Sequence, residues 1–288
     1  MLRLLEMTPA TASQIRKASI TFGDEPFRDD RRVRERLQAL TDAGFVHSWP
    51  SAVSGGGLMH VYKLTTPGFR MLHQDETLVP QKTLTAEIAP SRFQHAMATA
   101  EIVVHTLVAA HESRVRIVQY HGDGGLTLAA GSYRQQPDFH VQLEQSGAFR
   151  NVLIEIDQAT EPIDSLRENS IRTKLLGYEA YQDLVWQGWK QGGGHGPRPY
   201  FRVVFLTRGV ERAHHILWFA RECARNRDRH LCYAATQDAY LSEPRALTVP
   251  LFNDHDGAWQ SLVNPQPSAK FLQAPIRLSP PLVPARVV

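Results

Sequence analysis

Two acids separated by one residue stand inside an apolar run, Val152-Leu153-Ile154-Glu155-Ile156-Asp157. A run of that composition reads as a buried strand. Successive strand side chains point to opposite faces, so Glu155 and Asp157 share one face while Val152, Ile154 and Ile156 take the other. Burying a carboxylate without a partner is costly, and two side by side raise each other's pKa. The pair therefore demands a cation, either a metal or a basic side chain. Lys174 borders the apolar stripe of the next helix, in helical register with Ile171 and Tyr178. Asp138 follows Pro137 at the start of the preceding strand, and Glu101 stands one helical turn after Met97 on an earlier helix. Brought into one polar pocket, Glu101, Asp138, Glu155, Asp157 and Lys174 make a carboxylate-rich site suited to Mg2+ or Mn2+, with Asp138 and Glu155 as the metal ligands. Such a metal activates water and stabilises a phosphodiester transition state, with Lys174 orienting the water. The same residues also fit a salt-bridged patch without a metal, in which Glu155 or Asp157 pairs with Lys174, Arg167 or Arg172.

The elements that must position these groups read as α/β from residue 93 to 263. Phe93, Met97, Ala100, Val104 and Leu107 form a helical stripe. The stretch VRIVQY reads as a strand, and PDFHVQL alternates, with Asp138, His140 and Gln142 on one face and Phe139, Val141 and Leu143 on the other. A helix is expected from about Ser165 to Trp186, then a strand over YFRVVFLT, a helix over RAHHILWFARECARN and a strand over HLCYAAT.

A second chemical feature lies near the start of the chain. In DDRRVRERLQALTDAGFV the apolar residues Val33, Leu37 and Leu40 recur on one helix face and Gly44 ends the helix. Arg31, Arg32, Arg34 and Arg36 stand on the same helix. Thr11 is the expected N-cap of a shorter helix before it. Two strand-like runs follow, joined by a glycine-rich tip, Ser54-Gly55-Gly56-Gly57, and carrying His47, His60 and Lys63. Helix, helix, helix, hairpin is the order of a winged helix-turn-helix over residues 1–78. In that fold the arginine helix enters the major groove of double-stranded DNA, and Lys63 on the wing reaches the backbone. A solvated helix face used for protein contacts has the same appearance. Residues 79–92 read as a linker and 264–288, with six prolines, as a surface tail.

Composition narrows the classes. With 288 residues the chain holds one large domain or two ordinary ones. No apolar run approaches the ~20 residues that span a bilayer. The two cysteines, Cys223 and Cys232, fit a reducing cytoplasm and no disulfide framework. Neither Cys nor His214-His215 has zinc-motif spacing. There is no nucleophile elbow, Walker loop or dinucleotide loop. The net charge of +3 is compatible with nucleic acid and does not establish it.

The order helix, strand, Pro-Asp strand, acidic strand, helix resembles the core of PD-(D/E)xK nucleases. That resemblance implies a restriction-endonuclease-type mixed sheet flanked by helices and a possible Mg-dependent DNA endonuclease. The chain departs from the pattern at Asp157, which stands where the family's third-strand lysine is expected; Lys174 is then a lysine displaced onto the next helix. Taken together, LQALTDAGFV, YKLTTPG, FQHAMATAEIVV, PDFHVQL, LIEIDQATE and KLLGYEAY, in that order, resemble the replication-relaxation family of bacterial mobile elements over about residues 8–260. The resemblance implies a DNA-binding plasmid or mobile-element protein acting in replication, relaxation or transfer. The alternative it leaves open is a non-catalytic DNA-binding adaptor or transcriptional regulator that recruits a relaxase, replication initiator or transposase; on either reading a homodimer is a candidate assembly.

Overall fold

A computed structural model describes residues 1–52, 57–165, 170–195 and 199–263. Ser54, Gly55 and Gly56 of the expected tip, Arg167, and the 264–288 tail lie outside the described residues. The chain is a mixed α+β protein that divides into two compact units: Met1–Leu126 with Gln136–Gly147, and Thr127–Gln135 with Ala148 onward.

In the first unit, α1 (Leu2–Met7), β1 (Ala10–Thr11), α2 (Ala12–Ala18) and α3 (Asp30–Asp42) are followed by the hairpin β2 (Val46–Ala52) and β3 (Leu58–Leu64), then α4 (Thr66–His73). The three strands form an antiparallel sheet of order β1-β3-β2. Local signals explain each start. Thr11 and Gln14 make a reciprocal capping box, 3.2 Å from Gln14 N to Thr11 Oγ1 and 2.9 Å from Thr11 N to Gln14 Oε1. Asp29 caps α3, whose Val33 and Leu37 are fully buried. Thr65 caps α4 and also donates to Gly44 O at 2.6 Å. Gly68 is required there, because a Cβ would sit 2.0 Å from Phe45 O. The stretch expected to be a featureless linker contains a short helix, α5 (Lys82–Thr85). It leads to α6 (Phe93–Glu112) and β4 (Arg116–His121).

Two short strands, β5 (Leu128–Ala130) and β6 (Tyr133–Gln135), pair as a hairpin in the second unit. The chain then returns to the first unit as β7 (Phe139–Gln145), antiparallel to β4. Phe139, Val141 and Leu143 of β7 are fully buried, as the alternation predicts.

The second unit continues with β8 (Ala148–Asp157), α7 (Ile171–Gln191), β9 (Phe201–Thr207), α8 (Val210–Cys223), β10 (Cys232–Thr236), α9 (Gln237–Ser242), β11 (Phe252–Asp254) and β12 (Trp259–Gln260). Its strands are ordered β12-β11-β10-β9-β8. Strands β8, β9 and β10 are parallel; β11 and β12 continue antiparallel. Parallel strands are covered on both faces, which is why the β8 and β9 sequences are nearly unbroken apolar runs. Ser170 caps α7, accepting from Thr173 N at 3.1 Å. The observed α7 reaches Gln191, past the expected end at Trp186, and Trp186 stacks on both Trp189 and Tyr200.

Candidate functional site

In the second unit the two acids of β8 lie at the carboxyl ends of the parallel strands, the usual place for sites in open α/β sheets. Both are buried, Glu155 to 2% exposure and Asp157 to 4%. Each has its own cation. The Lys174 ammonium donates to Glu155 Oε2 at 2.9 Å, and the Tyr178 hydroxyl makes a short hydrogen bond to Glu155 Oε1. Lys174 and Tyr178 are one turn apart on α7, so the Ser170 cap that starts this helix also places both donors. Lys174 is shared with Glu161, whose carboxylate lies 2.9 Å from the ammonium.

Asp157 is held differently. Arg212, near the start of α8, donates from Nε to Oδ2 at 2.8 Å and from Nη2 to Oδ1 at 2.9 Å. The same Nη2 reaches Glu161 O at 2.6 Å. Glu161 therefore links the two ion pairs, its carboxylate on Lys174 and its carbonyl on Arg212. Ala159, with φ +60°, turns the chain so that its N–H caps Asp157 Oδ1 at 3.3 Å. Gln237 fastens the strand ends, donating to Asp157 O and Leu206 O.

The remaining sequence-derived residues belong to the first unit. Asp138 precedes β7 and lies 2.9 Å from His95 Nε2. This hydrogen bond, acting against burial, raises the His95 pKa. Glu101 lies six residues further along α6, about 9 Å of rise and on a different helix face from His95. It accepts from Gln14 Nε2 at 3.1 Å and Lys17 Nζ at 3.0 Å. Burial works to raise the Glu101 pKa, but these two donors outweigh it and hold the carboxyl below its usual range.

On α3, Arg31, Arg32, Arg34 and Arg36 are all exposed, with Arg31 3.6 Å from Glu35. Lys63 is only 5% exposed, and its ammonium donates to Thr83 O at 2.5 Å and Ala86 O at 2.9 Å. It ties β3 to α5, and burial lowers its pKa.

Sequence reasoning placed Glu155 and Lys174 together, and the structure pairs them directly. It missed Arg212, whose partner is 55 residues away and leaves no local pattern. It also missed Tyr178 as a donor, although the Lys-x-x-x-Tyr spacing puts both on one helix face. Among the described residues no helix is long and apolar enough to cross a membrane.

Compared with known proteins, residues 2–194 match the family model for replication-relaxation. No curated protein matches the chain. Two solved structures, of restriction endonuclease FokI and of FokI bound to DNA, align at 12% and 11% identity with TM-scores of 0.28 and 0.27. Each alignment covers 84% of this chain and 42% of the other, so this chain spans less than half the length of those proteins.

Proposed function

Because the chain belongs to the replication-relaxation family, we propose a protein of a plasmid or mobile element that binds double-stranded DNA and cleaves a phosphodiester at the carboxylate–lysine cluster of its second unit. The observation that carries this reading is the Glu155–Lys174–Tyr178 cluster, buried at the carboxyl end of a parallel strand. Two donor–acceptor contacts fix its geometry, and preorganised charge is what phosphoryl chemistry needs from a protein.

The donor set fits a hard divalent cation in kind. Glu155 and Glu161 are oxygen donors facing one positive charge, the arrangement that suits Mg2+ or Mn2+. Glu155 is the proposed ligand in this unit, and Asp138 stands as a separate candidate in the other. When bound, such an ion supplies Lewis acidity to a phosphate oxygen. The work assigned to the chain is narrower. Lys174 balances Glu155 and orients the attacking water. Tyr178 locks the Glu155 carboxylate. Arg212 neutralises Asp157, which on this reading supports the site, and Glu101 braces α6 against α2.

The DNA-binding half of the proposal rests on the exposed arginines of α3, read as the recognition helix of a winged helix-turn-helix. The proposed catalytic fold is of PD-(D/E)xK type with its lysine on α7. A second reading is favoured by one observation: Glu155 and Asp157 already have cations within the chain. On that reading the second unit is a docking platform for a relaxase, replication initiator or transposase, and the chain is an adaptor. Supercoiled plasmid incubated with the protein and Mg2+ or Mn2+, beside a gel shift on the same DNA, separates the two. Nicking supports the first reading; binding without nicking supports the second.

A further inference from the structure

A different cluster of metal-ligating side chains lies at the other end of the parallel strands. His230 immediately precedes the Leu231–Cys232 start of β10, whereas Asp157 closes β8 opposite Thr207, and Thr207 pairs with Thr236 at the far end of β10. The length of β10, about 13 Å, separates the two ends. His255 and Asp256 occupy the turn between β11 and β12.

One nitrogen each from His230 and His255 and one oxygen from Asp256 lie within 4.8 Å of one another. The imidazoles are stacked, with centroids 5.2 Å apart and planes 17° from parallel. His255 Nε2 lies 3.9 Å from Asp256 Oδ2, and His230 Nδ1 lies at the same distance from it while hydrogen-bonded to Asp254. The other oxygen, Oδ1, faces Arg221 Nε at 4.0 Å, so the arginine does not occupy the histidine side of the carboxylate.

Behind the cluster stands a carboxylate that holds a histidine. Asp254 is fully buried and accepts from His230 Nδ1 at 3.0 Å. A carboxylate only accepts, so Nδ1 donates, and in the neutral ring the lone pair falls on Nε2. Carboxylate–histidine contacts of this kind orient metal-binding imidazoles and raise their basicity. Asp254 is itself fixed by Asp256 N, Ala258 N and Gln260 Nε2, at 2.9–3.0 Å. The Gln260 amide that donates to Asp254 leaves its own Oε1 buried without a partner.

We propose that His230, His255 and Asp256 form a binding site for a transition metal of the Zn2+ class, separate from the carboxylate–lysine cluster. Two imidazoles and one carboxylate are the donor types that suit Zn2+ and neighbouring late first-row ions, whereas Mg2+ prefers oxygen alone. Three protein ligands leave a fourth position open. Because the ligands come from both sides of β11, the ion would pin the β11–β12 turn to the start of β10.

The test uses the whole chain stripped of metal with a chelator and titrated with Zn2+ against a chromogenic competitor, with thermal unfolding followed in parallel. The expected result is uptake of a single Zn2+ per chain and a higher Tm with Zn2+ present. His230→Gln and Asp256→Asn should each weaken uptake by about tenfold or more and remove the Tm gain. Asp256 is partly exposed, so its variant should fold whether or not the His230 variant does. No uptake, or uptake and Tm gain unchanged in both cluster variants, would overturn the proposal.

Discussion

Arg212 grips Asp157 with two near-parallel hydrogen bonds of 2.8 and 2.9 Å, and both side chains are largely out of solvent. This fork resolves how a core strand tolerates a second acid: the charge is matched by a planar cation whose geometry fits a carboxylate. Removing one partner leaves the other buried and unpaired. Arg212→Met should therefore destabilise the protein by about 3–5 kcal/mol, read from urea unfolding. Adding Asp157→Asn to it should recover much of the loss. A purely additive double mutant would show that the pair is not coupled.

Tyr178 is the other donor to Glu155. Tyr178→Phe keeps the ring and removes only the hydroxyl, and with it the hydrogen bond to the buried Glu155 carboxylate. The expected cost is about 1–3 kcal/mol in chemical denaturation, with lower plasmid cleavage at unchanged DNA affinity.

Gly68 tests the packing of the first unit. Its added methyl group would meet Phe45 O at 2.0 Å, and backbone cannot move aside cheaply. Gly68→Ala should cost about 3 kcal/mol or more, the upper end of overpacking penalties. Gly147→Ala, where nothing lies near but φ is +79°, should cost only about 1 kcal/mol, the left-handed penalty for a side chain.

Burial raises the Glu179 pKa, and the opposing attraction of Arg229, 3.4 Å away, does not cancel it. A folded-state pKa above the unfolded value means that the native state holds the proton longer. Stability linked to Glu179 is then complete below the ordinary glutamate range and falls as pH rises through the raised value. Unfolding free energies measured from about pH 4 to about pH 8 should show this slope, starting near the reference value of about 4.3. Glu179→Gln should flatten it.

On the proposed function, the exposed arginines of α3 make the contacts to DNA phosphates. Replacing Arg32 or Arg34 by alanine should weaken binding to any duplex and lower the slope of log K against log salt by about 0.9 for each phosphate no longer neutralised. An unchanged slope would assign this helix face to something other than DNA.

Much of the architecture was legible where one segment carried its own pattern. The Val33–Leu37 stripe gave α3, the alternation after Asp138 gave β7, and the unbroken apolar runs gave the strands β8 and β9. Short elements were not legible, because β5, β6, β11 and β12 are too short for a period to repeat. Long-range pairings were hidden too. Glu155 and Lys174 could be matched because a strand and the next helix are neighbours, but Arg212 and the His230–Asp254 contact depend on how α8 and β11 return to the sheet. Lys63 looked like a wing contact by its place in the hairpin; its burial depends on α5, which has no periodic signal.

On the proposed function, Glu155 and Lys174 act on a phosphodiester. The most direct test is cleavage of supercoiled plasmid in Mg2+ or Mn2+ by the parent protein, Glu155→Gln and Lys174→Met, each first shown to be folded and to shift the same DNA. The expected result is nicking by the parent that both variants lose while still binding. Nicking that persists in the variants, or binding by all three proteins with no cleavage under either metal, would contradict it.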